Sequence, residues 1–366
     1  MIFERGRRVL YPPRDPPMDP YDLSLAPQAF GLNNTGVICY LNSFLQMLAG
    51  CTSLVRAVLQ NADYVSQTRT GAAMLAYFRA FSAIDEAGHV VARAQPAQDI
   101  SLLSSSVLSA LTDDLRARRP WVHFGGGQES ASEALVHILD MMEPPRLSAE
   151  EEAALISNKS PADAPPGRPV EIHVASAESP ITRLFLHRFR CELHCRKCRK
   201  VVSKETDYAV VFNLFHFDTL RVQPATVADF SKAVRLQVSE TNDYTCPTCN
   251  EKTKAFRVYN LTMVPEIIVC SFNLYVGYGG VRRARYFPER VEFLAVDGGK
   301  LVFRLVGQVE HAGSLSGGHY WARGLRAGER IHLLNDTGVS PTSFAPTPNT
   351  YMLAFHYVGH EPAPTQ

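Results

Sequence analysis

The sequence predicts an α+β protein, with helices in its first half and strands in its second. Three observations carry this. Apolar residues recur at helical spacing up to about residue 142, β-branched and aromatic runs take over after about residue 170, and a Pro-, Ala- and acid-rich stretch lies between. A chain of 366 residues with 46% hydrophobic and 20% charged residues has the make-up of a soluble globular protein with a large core. Its 37 basic and 36 acidic residues leave a formal charge of +1, which argues against a surface built to coat nucleic acid or a membrane.

The first element, residues 1–30, is Pro-rich and lacks the apolar run of a signal peptide, so it is expected to be a disordered leader. No run approaches the roughly 20 apolar residues of a membrane span. These features point to the cytoplasm or nucleus, where thiols stay reduced. The eight cysteines then need metal or catalytic explanations before disulfides.

A first helix is expected over 39–60, where Leu41, Phe44, Leu45 and Leu48 form one stripe. Residues 62–120 are Ala/Ser/Leu-rich and expected to be helical. A further helix is expected over 129–142, with Ala131, Ala134, Leu135, Ile138, Leu139 and Met142 on one face. Residues 143–169 read as a mobile insertion that offers a site for a partner protein. Strands are expected in 208–215, 266–276, 300–311 and 350–358, and residues 359–366 as a disordered tail.

Two C-x₂-C knuckles, Cys195/Cys198 and Cys246/Cys249, have the spacing of a closed tetrahedral zinc site. One structural Zn²⁺ is expected, because four thiolates leave no position for water. The long gap between the pairs requires an arm that runs out and returns. Cys191 and His194 lie close enough to compete as ligands, although neither belongs to a knuckle. The basic residues around the first knuckle, "RCELHCRKCRK", are read as a solvated face rather than a nucleic-acid contact.

Cys39 stands where a polar turn becomes an apolar helix, and a helix amino end can stabilise a thiolate. Cys51 and Cys270 are expected to be inert core thiols. The candidate base is His319 in "SLSGGHYWARGLRAGERIHLLND", preceded by Gly317 and Gly318, which permit close backbone approach. A hairpin folded about Ala327–Gly328 sets His319 across from Asn335 and Asp336, either of which can orient an imidazole. Other histidines, among them 123, 137, 173, 187, 311, 332 and 356, lack such a setting. These residues alone leave two readings open, a cysteine hydrolase or a packed thiol and a histidine that never meet.

"GLNNTGVICYLNSFLQ" resembles the cysteine box of the ubiquitin-specific proteases, "GQESASEALVHILD" their second box, and "HAGSLSGGHYWA", "LLNDTGV" and "YMLAFHYV" their histidine box and closing strand. The likeness runs from about 31 to 358 with the boxes in order. It implies the papain-like thumb–palm–fingers architecture: thumb about 31–145, fingers about 185–262, palm about 170–184 and 263–358. It implies Cys39 as nucleophile, His319 as base, Asn335 as its orienter with Asp336 beside it, and Asn34 as oxyanion donor. Substrate contacts are implied for Gln128, Glu129, Glu133, Gly317, Gly318 and Tyr320, with loops near 276–286 and 313–318 over the substrate tail. The implied reaction is hydrolysis after the C-terminal Gly-Gly of ubiquitin on ubiquitinated proteins. A USP-fold scaffold without activity, or a protease for a ubiquitin-like modifier, is the alternative.

The chain departs from the pattern in places. Val37 and Ile38 replace Asn-Thr before the cysteine, Ser130 stands where an aspartate is usual, and "CSFNLY" replaces L-K-R-F-x-Y. Glu129 or Glu133 is expected to compensate for Ser130.

Overall fold

The structure, a computed structural model, describes residues 18–96, 100, 102–125, 129–144, 179–214, 230, 231, 234, 236–272, 274, 284, 286–314 and 317–363. In chain order the helices are α1 (Cys39–Ala49), α2 (Thr52–Gln60), α3 (Ala62–Val65), α4 (Arg69–Phe81), α5 (Leu103–Arg118) and α6 (Ala131–Met142). A small hairpin, β1 (Ser82–Ile84) and β2 (Val90–Ala92), interrupts them. The strands that follow are β3 (His187–Cys195), β4 (Val201–Ala209), β5 (Phe212–Asn213), β6 (Leu236–Thr245), β7 (Lys252–Met263) and β8 (Ile267–Ser271). The last are β9 (Arg290–Leu294), β10 (Lys300–Ser314), β11 (Gly317–Arg326), β12 (Arg330–Asn335), β13 (Gly338–Thr342) and β14 (Thr350–Glu361). The α+β expectation holds.

The chain divides into two compact units. One joins Asp22–Leu184 with Val309–Ser343, and the other joins Phe185–Gln308 with Phe344–Gln366 and the N-terminal residues. In the first, α1 is buried along its entire length, which is why apolar residues occupy almost every side of it. Leu41, Phe44, Leu45 and Leu48 are fully buried, each contributing about 1.5–3 kcal/mol of apolar transfer. The polar residues of α1 are spent locally: Ser43 Oγ donates to the Tyr40 carbonyl and Gln46 Nε2 to that of Phe30. Thr68 and Asp114 supply oxygens to the first turn of α4. The β11–β12–β13 meander packs in this unit with α1, and β12 pairs antiparallel with both neighbours.

In the second unit, β9, the first part of β10, β14, β8 and β5 form one sheet. The order β4-β3-β7-β6 forms another, antiparallel throughout. Alternate residues of β3, from His187 through Phe189, Cys191 and Leu193 to Cys195, face inward, as a half-buried strand requires.

Several expectations are corrected. The helix expected over 39–60 is two helices, because Cys51 leaves helical geometry (φ −89°, ψ 86°) and its carbonyl starts α2 by accepting from Leu54 and Val55. The stretch 62–120 is helical apart from the β1–β2 hairpin. Residues 18–30, placed in the leader, instead carry a 3₁₀ turn at Leu23–Leu25 capped by Asp22, and bury Leu25, Ala26 and Phe30. Residues 359–361, placed in the tail, extend β14. Residues 179–184 and 309–343, the latter with the histidine hairpin, group with the helices in the first unit. The strand expected over 208–215 is the end of β4 and the short β5, and of that over 266–276 the described residues form a strand at Ile267–Ser271. Of the insertion, 145–169 lies outside the described residues, as do residues 1–17, Gln128 and most of 276–286. At its near end the Glu143 carboxylate accepts from the hydroxyls of Tyr64, Ser179 and Thr182, tying the two flanks together. Among the described residues no helix is long and apolar enough to cross a membrane.

Candidate active site

Cys39 is the first residue of α1 and is buried, with 4% of its surface exposed. Its helix begins without a side-chain cap, since Ile38 occupies the N-cap position. The helix amino end is available to stabilise a thiolate, but burial works against it. Burial pushes the Cys39 thiol above its ordinary range, and the Asp336 carboxylate pushes the same way. Main-chain hydrogen bonds at Tyr320, Tyr40 and Cys39 itself oppose the shift without cancelling it. Desolvation outweighs the helix end.

The hairpin turns where its residues predict. Arg326 pairs with Arg330 across Ala327–Glu329, and Ala322 pairs with Leu334. His319 Nε2 lies 2.6 Å from Asn335 Oδ1, so the amide oxygen accepts from the ring N–H. This contact fixes the tautomer and leaves Nδ1 as the nitrogen that can take a proton. Trp321 stacks beside the imidazole, with ring centroids 6.1 Å apart.

Asp336 does not join the imidazole. Its carboxylate accepts from Asn34 Nδ2 at 3.1 Å and from Asn42 Nδ2 at 2.8 Å, and its carbonyl accepts from the Leu32 N–H. Asn34 in turn accepts at Oδ1 from the N–H groups of Gly36 and Ile38, folding the turn that leads into Cys39. The β12–β13 turn therefore ties down the loop before the cysteine. Asn42 is a member of this cluster that the sequence reading missed. Its signal is a polar side chain one turn after the cysteine in an otherwise apolar stripe.

The other sequence-derived residues fall as follows. Tyr320 directs its main chain at Cys39 while its ring is buried against His311, with centroids 4.2 Å apart. Gly317 and Gly318 open β11, and a side chain on Gly318 would meet His311 Nε2 at 2.3 Å, so only glycine fits that passage. Glu129 accepts from the Gly125 N–H. Glu133 has its carboxyl pushed up by loss of hydration and then by the Glu129 carboxylate. Ser130 caps α6, accepting from the Glu133 N–H at 3.4 Å.

A second cluster lies at the tips of the β3–β4 and β6–β7 hairpins. The sulfurs of Cys195, Cys198, Cys246 and Cys249 all lie within 4.8 Å of one another, with Cys195–Cys249 and Cys198–Cys246 each at 3.9 Å. A tetrahedral zinc with Zn–S bonds of about 2.3 Å sets its sulfurs about 3.8 Å apart, so the four thiols fit that ion. The knuckles share one construction. Arg199 and Asn250, each just after a second cysteine, adopt left-handed φ of 60° and 54° and donate their N–H to the carbonyl of the first cysteine. Cys191 and His194 lie outside the cluster; His194 faces Glu192 at 3.4 Å. Three basic residues around the first knuckle are paired, Arg190 with Glu192, Arg196 with Glu240 and Lys197 with Glu251.

The family model for ubiquitin carboxyl-terminal hydrolase matches residues 30–355. The chain belongs to the ubiquitin carboxyl-terminal hydrolase family. Within that family it is 23% identical to ubiquitin carboxyl-terminal hydrolase 5 of Saccharomyces cerevisiae, over 95% of this chain and 49% of that protein. It is 22% identical to human ubiquitin carboxyl-terminal hydrolase 21, over 94% of this chain and 63% of that protein. The chain thus spans 49% and 63% of these relatives' length. Two solved structures share the fold. The SAGA Ubp8/Sgf11/Sus1/Sgf73 DUB module bound to ubiquitin aldehyde matches with a TM-score of 0.60 and 15% identity, over 92% of this chain and 71% of that one. The Ubp8-Sgf11-Sgf73-Sus1 SAGA DUB module matches with a TM-score of 0.57 and 13% identity, over 94% and 71%. The fold of this hydrolase-family chain is accordingly the papain-like fold of the ubiquitin-specific proteases, with the four-cysteine cluster in its fingers.

Proposed function

We propose that this protein is a thiol-dependent deubiquitinase that cleaves the isopeptide or peptide bond after the C-terminal Gly-Gly of ubiquitin. The observation that carries the reading is the assembly within one unit of a cysteine at a helix start, a histidine held by an asparagine, and the loop between them. His319 Nδ1 takes the Cys39 proton, and the thiolate attacks the carbonyl carbon of the terminal glycine. As the tetrahedral intermediate collapses, His319 returns the proton to the leaving amine and a thioester remains. Water, deprotonated by the same imidazole, then releases the ubiquitin carboxylate and restores the thiol.

Asn34 supports oxyanion binding. Its side-chain nitrogen has two hydrogens, and Asp336 takes one. The other is free to meet the developing negative charge, a kind of contact worth about 10²–10³ in rate. Asn335 acts as orienter, and Asp336 acts on Asn34 and Asn42 rather than on the base. Glu129 and Glu133 are the candidates to meet basic residues of the ubiquitin tail, with Ser130 reserved for capping. Gln128, Gly317, Gly318 and the main chain of Tyr320 complete the tail contacts. The four cysteines hold one structural Zn²⁺, which as a closed site supplies folding energy and no reactive water. Residues 143–169 are offered to a partner protein, and the site of action is the cytoplasm or nucleus.

Hydrolysis of a fluorogenic amide of the ubiquitin C-terminus tests the reading. The parent should turn over and Cys39→Ala should not. Turnover that survives in Cys39→Ala, or a parent silent on ubiquitin but active on a ubiquitin-like amide, contradicts it.

A further inference from the structure

The first residue of α1 is the proposed nucleophile, and the third residue of β11 is the proposed base. Chemistry needs these two elements aligned to within a fraction of an ångström. Two side-chain ties, at different points along α1, help to hold it against the meander. One is the Asp336–Asn42 hydrogen bond near the site. The other lies at the far end of β11, where Arg326 is fully buried. Its Nη2 donates to the Gln46 carbonyl at 2.9 Å and to Gln46 Oε1 at 2.7 Å, and its Nη1 to the Leu325 carbonyl at 3.0 Å. The guanidinium stands 5.8 Å from the centroid of the Phe30 ring, whose carbonyl holds the other end of the Gln46 amide. Gly324 makes room for it, since a side chain there would meet Arg326 Nη1 at 2.5 Å.

Two ties on one rigid helix make a lever. Asn42 lies about 4.5 Å along the axis from Cys39 and about 6 Å from Gln46, at 1.5 Å per residue. A slip of about 1 Å at Gln46, pivoting on Asn42, moves the start of the helix by about 0.75 Å the other way. A misplacement of that size costs up to about 10²-fold in rate. We infer that Arg326 is a positioning residue of the active site, setting the angle of α1 and so the aim of Cys39 at His319 from the opposite end of the helix. The inference rests on the hydrolase reading for its kinetics, but not for its geometry.

The test pairs two readouts on the full chain. In Arg326→Met, kcat on the ubiquitin amide should fall about 10- to 100-fold with KM changed less than about 2-fold. The second readout needs no ubiquitin. It is the rate of Cys39 alkylation by iodoacetamide at pH 7, with and without His319→Ala. Removing His319 should slow alkylation in the parent and have much less effect in the Arg326→Met background, because the misaimed thiol no longer uses the base. Arg326→Lys, which keeps a positively charged donor at this position, should recover part of the loss. If Arg326→Met does not fold, Gln46→Leu removes one acceptor and should show a smaller loss of the same kind. A lower melting temperature with unchanged kcat and an undiminished His319 effect in the folded variants would overturn the proposal. If the parent does not hydrolyse the amide, the hydrolase reading fails while the alkylation cycle still decides this one.

Discussion

Cys39 shows how local effects compete at one atom. A helix start and three main-chain hydrogen bonds favour the thiolate, whereas burial and the Asp336 carboxylate favour the thiol, and burial prevails. Burial thus favours the thiol at Cys39, and on the proposed mechanism its activation falls to His319. On the proposed mechanism Asn335 orients that base, through the 2.6 Å contact with Nε2. Steady-state kinetics should show a smaller loss of kcat in Asn335→Ala than in His319→Ala, with KM little changed in both. Equal or reversed losses would mean that another group orients the ring. The residues of this site were readable because each stands beside a local signal: a turn before an apolar stripe, two glycines before a histidine, a turn sequence between strands. The hairpin alone leaves Asn335 and Asp336 both open as partners of the imidazole, because ladder position does not say which way a side chain turns; the contact falls to Asn335. Asp336 closes on Asn34 and Asn42, distant in sequence, for which no local pattern exists.

At the scale of elements, the knuckles were the clearest part of the sequence. Two identical C-x₂-C spacings dictate two tight turns, and the β3–β7 pairing brings the turns together. Zinc content by atomic emission should be one ion per chain. Chelation, or Cys246→Ser, should lose the ion and expose the β3, β4, β6 and β7 amides to hydrogen exchange. Soluble protein without zinc and with protected amides there would contradict the structural role. Helix limits were less legible. Nothing in the run 39–60 marks a stop except Gly50, and the break at Cys51 is set by the packing of α1 and α2 as separate helices. Leader residues 18–30 were misjudged for a related reason. Their prolines and acids suggest disorder, but Leu25 and Phe30 find tertiary partners that composition cannot show.

At the scale of the whole molecule, the reduced cysteines outside the zinc cluster are part of the core and link stability to pH. Burial pushes the Cys51 thiol up to about 12, with Arg326 opposing, and drives Cys270 upward as well. Above the ordinary thiol pKa of about 8.5 the unfolded chain releases these protons and the native chain keeps them. Stability is then intact at neutral pH and falls as pH climbs toward 12. Each retained proton steepens the fall by about 1.4 kcal/mol per pH unit. Urea unfolding of the first unit at pH 7 and pH 10.5 should show a shallower decline in Cys51→Ala than in the parent, and equal declines would show that Cys51 is not the group responsible. The α+β class was legible from periodicity, but the membership of each unit was not, because residues 309–343 join helices that precede them by more than 160 positions. The central claim, that Cys39 is the nucleophile of a ubiquitin-directed hydrolase, is tested most directly by intact mass. The protein is mixed with ubiquitin carrying a C-terminal thiol-reactive warhead, alongside Cys39→Ala. One ubiquitin should add to the parent and none to the variant; no adduct on the parent, or an equal adduct on both, would rule out Cys39 as that nucleophile.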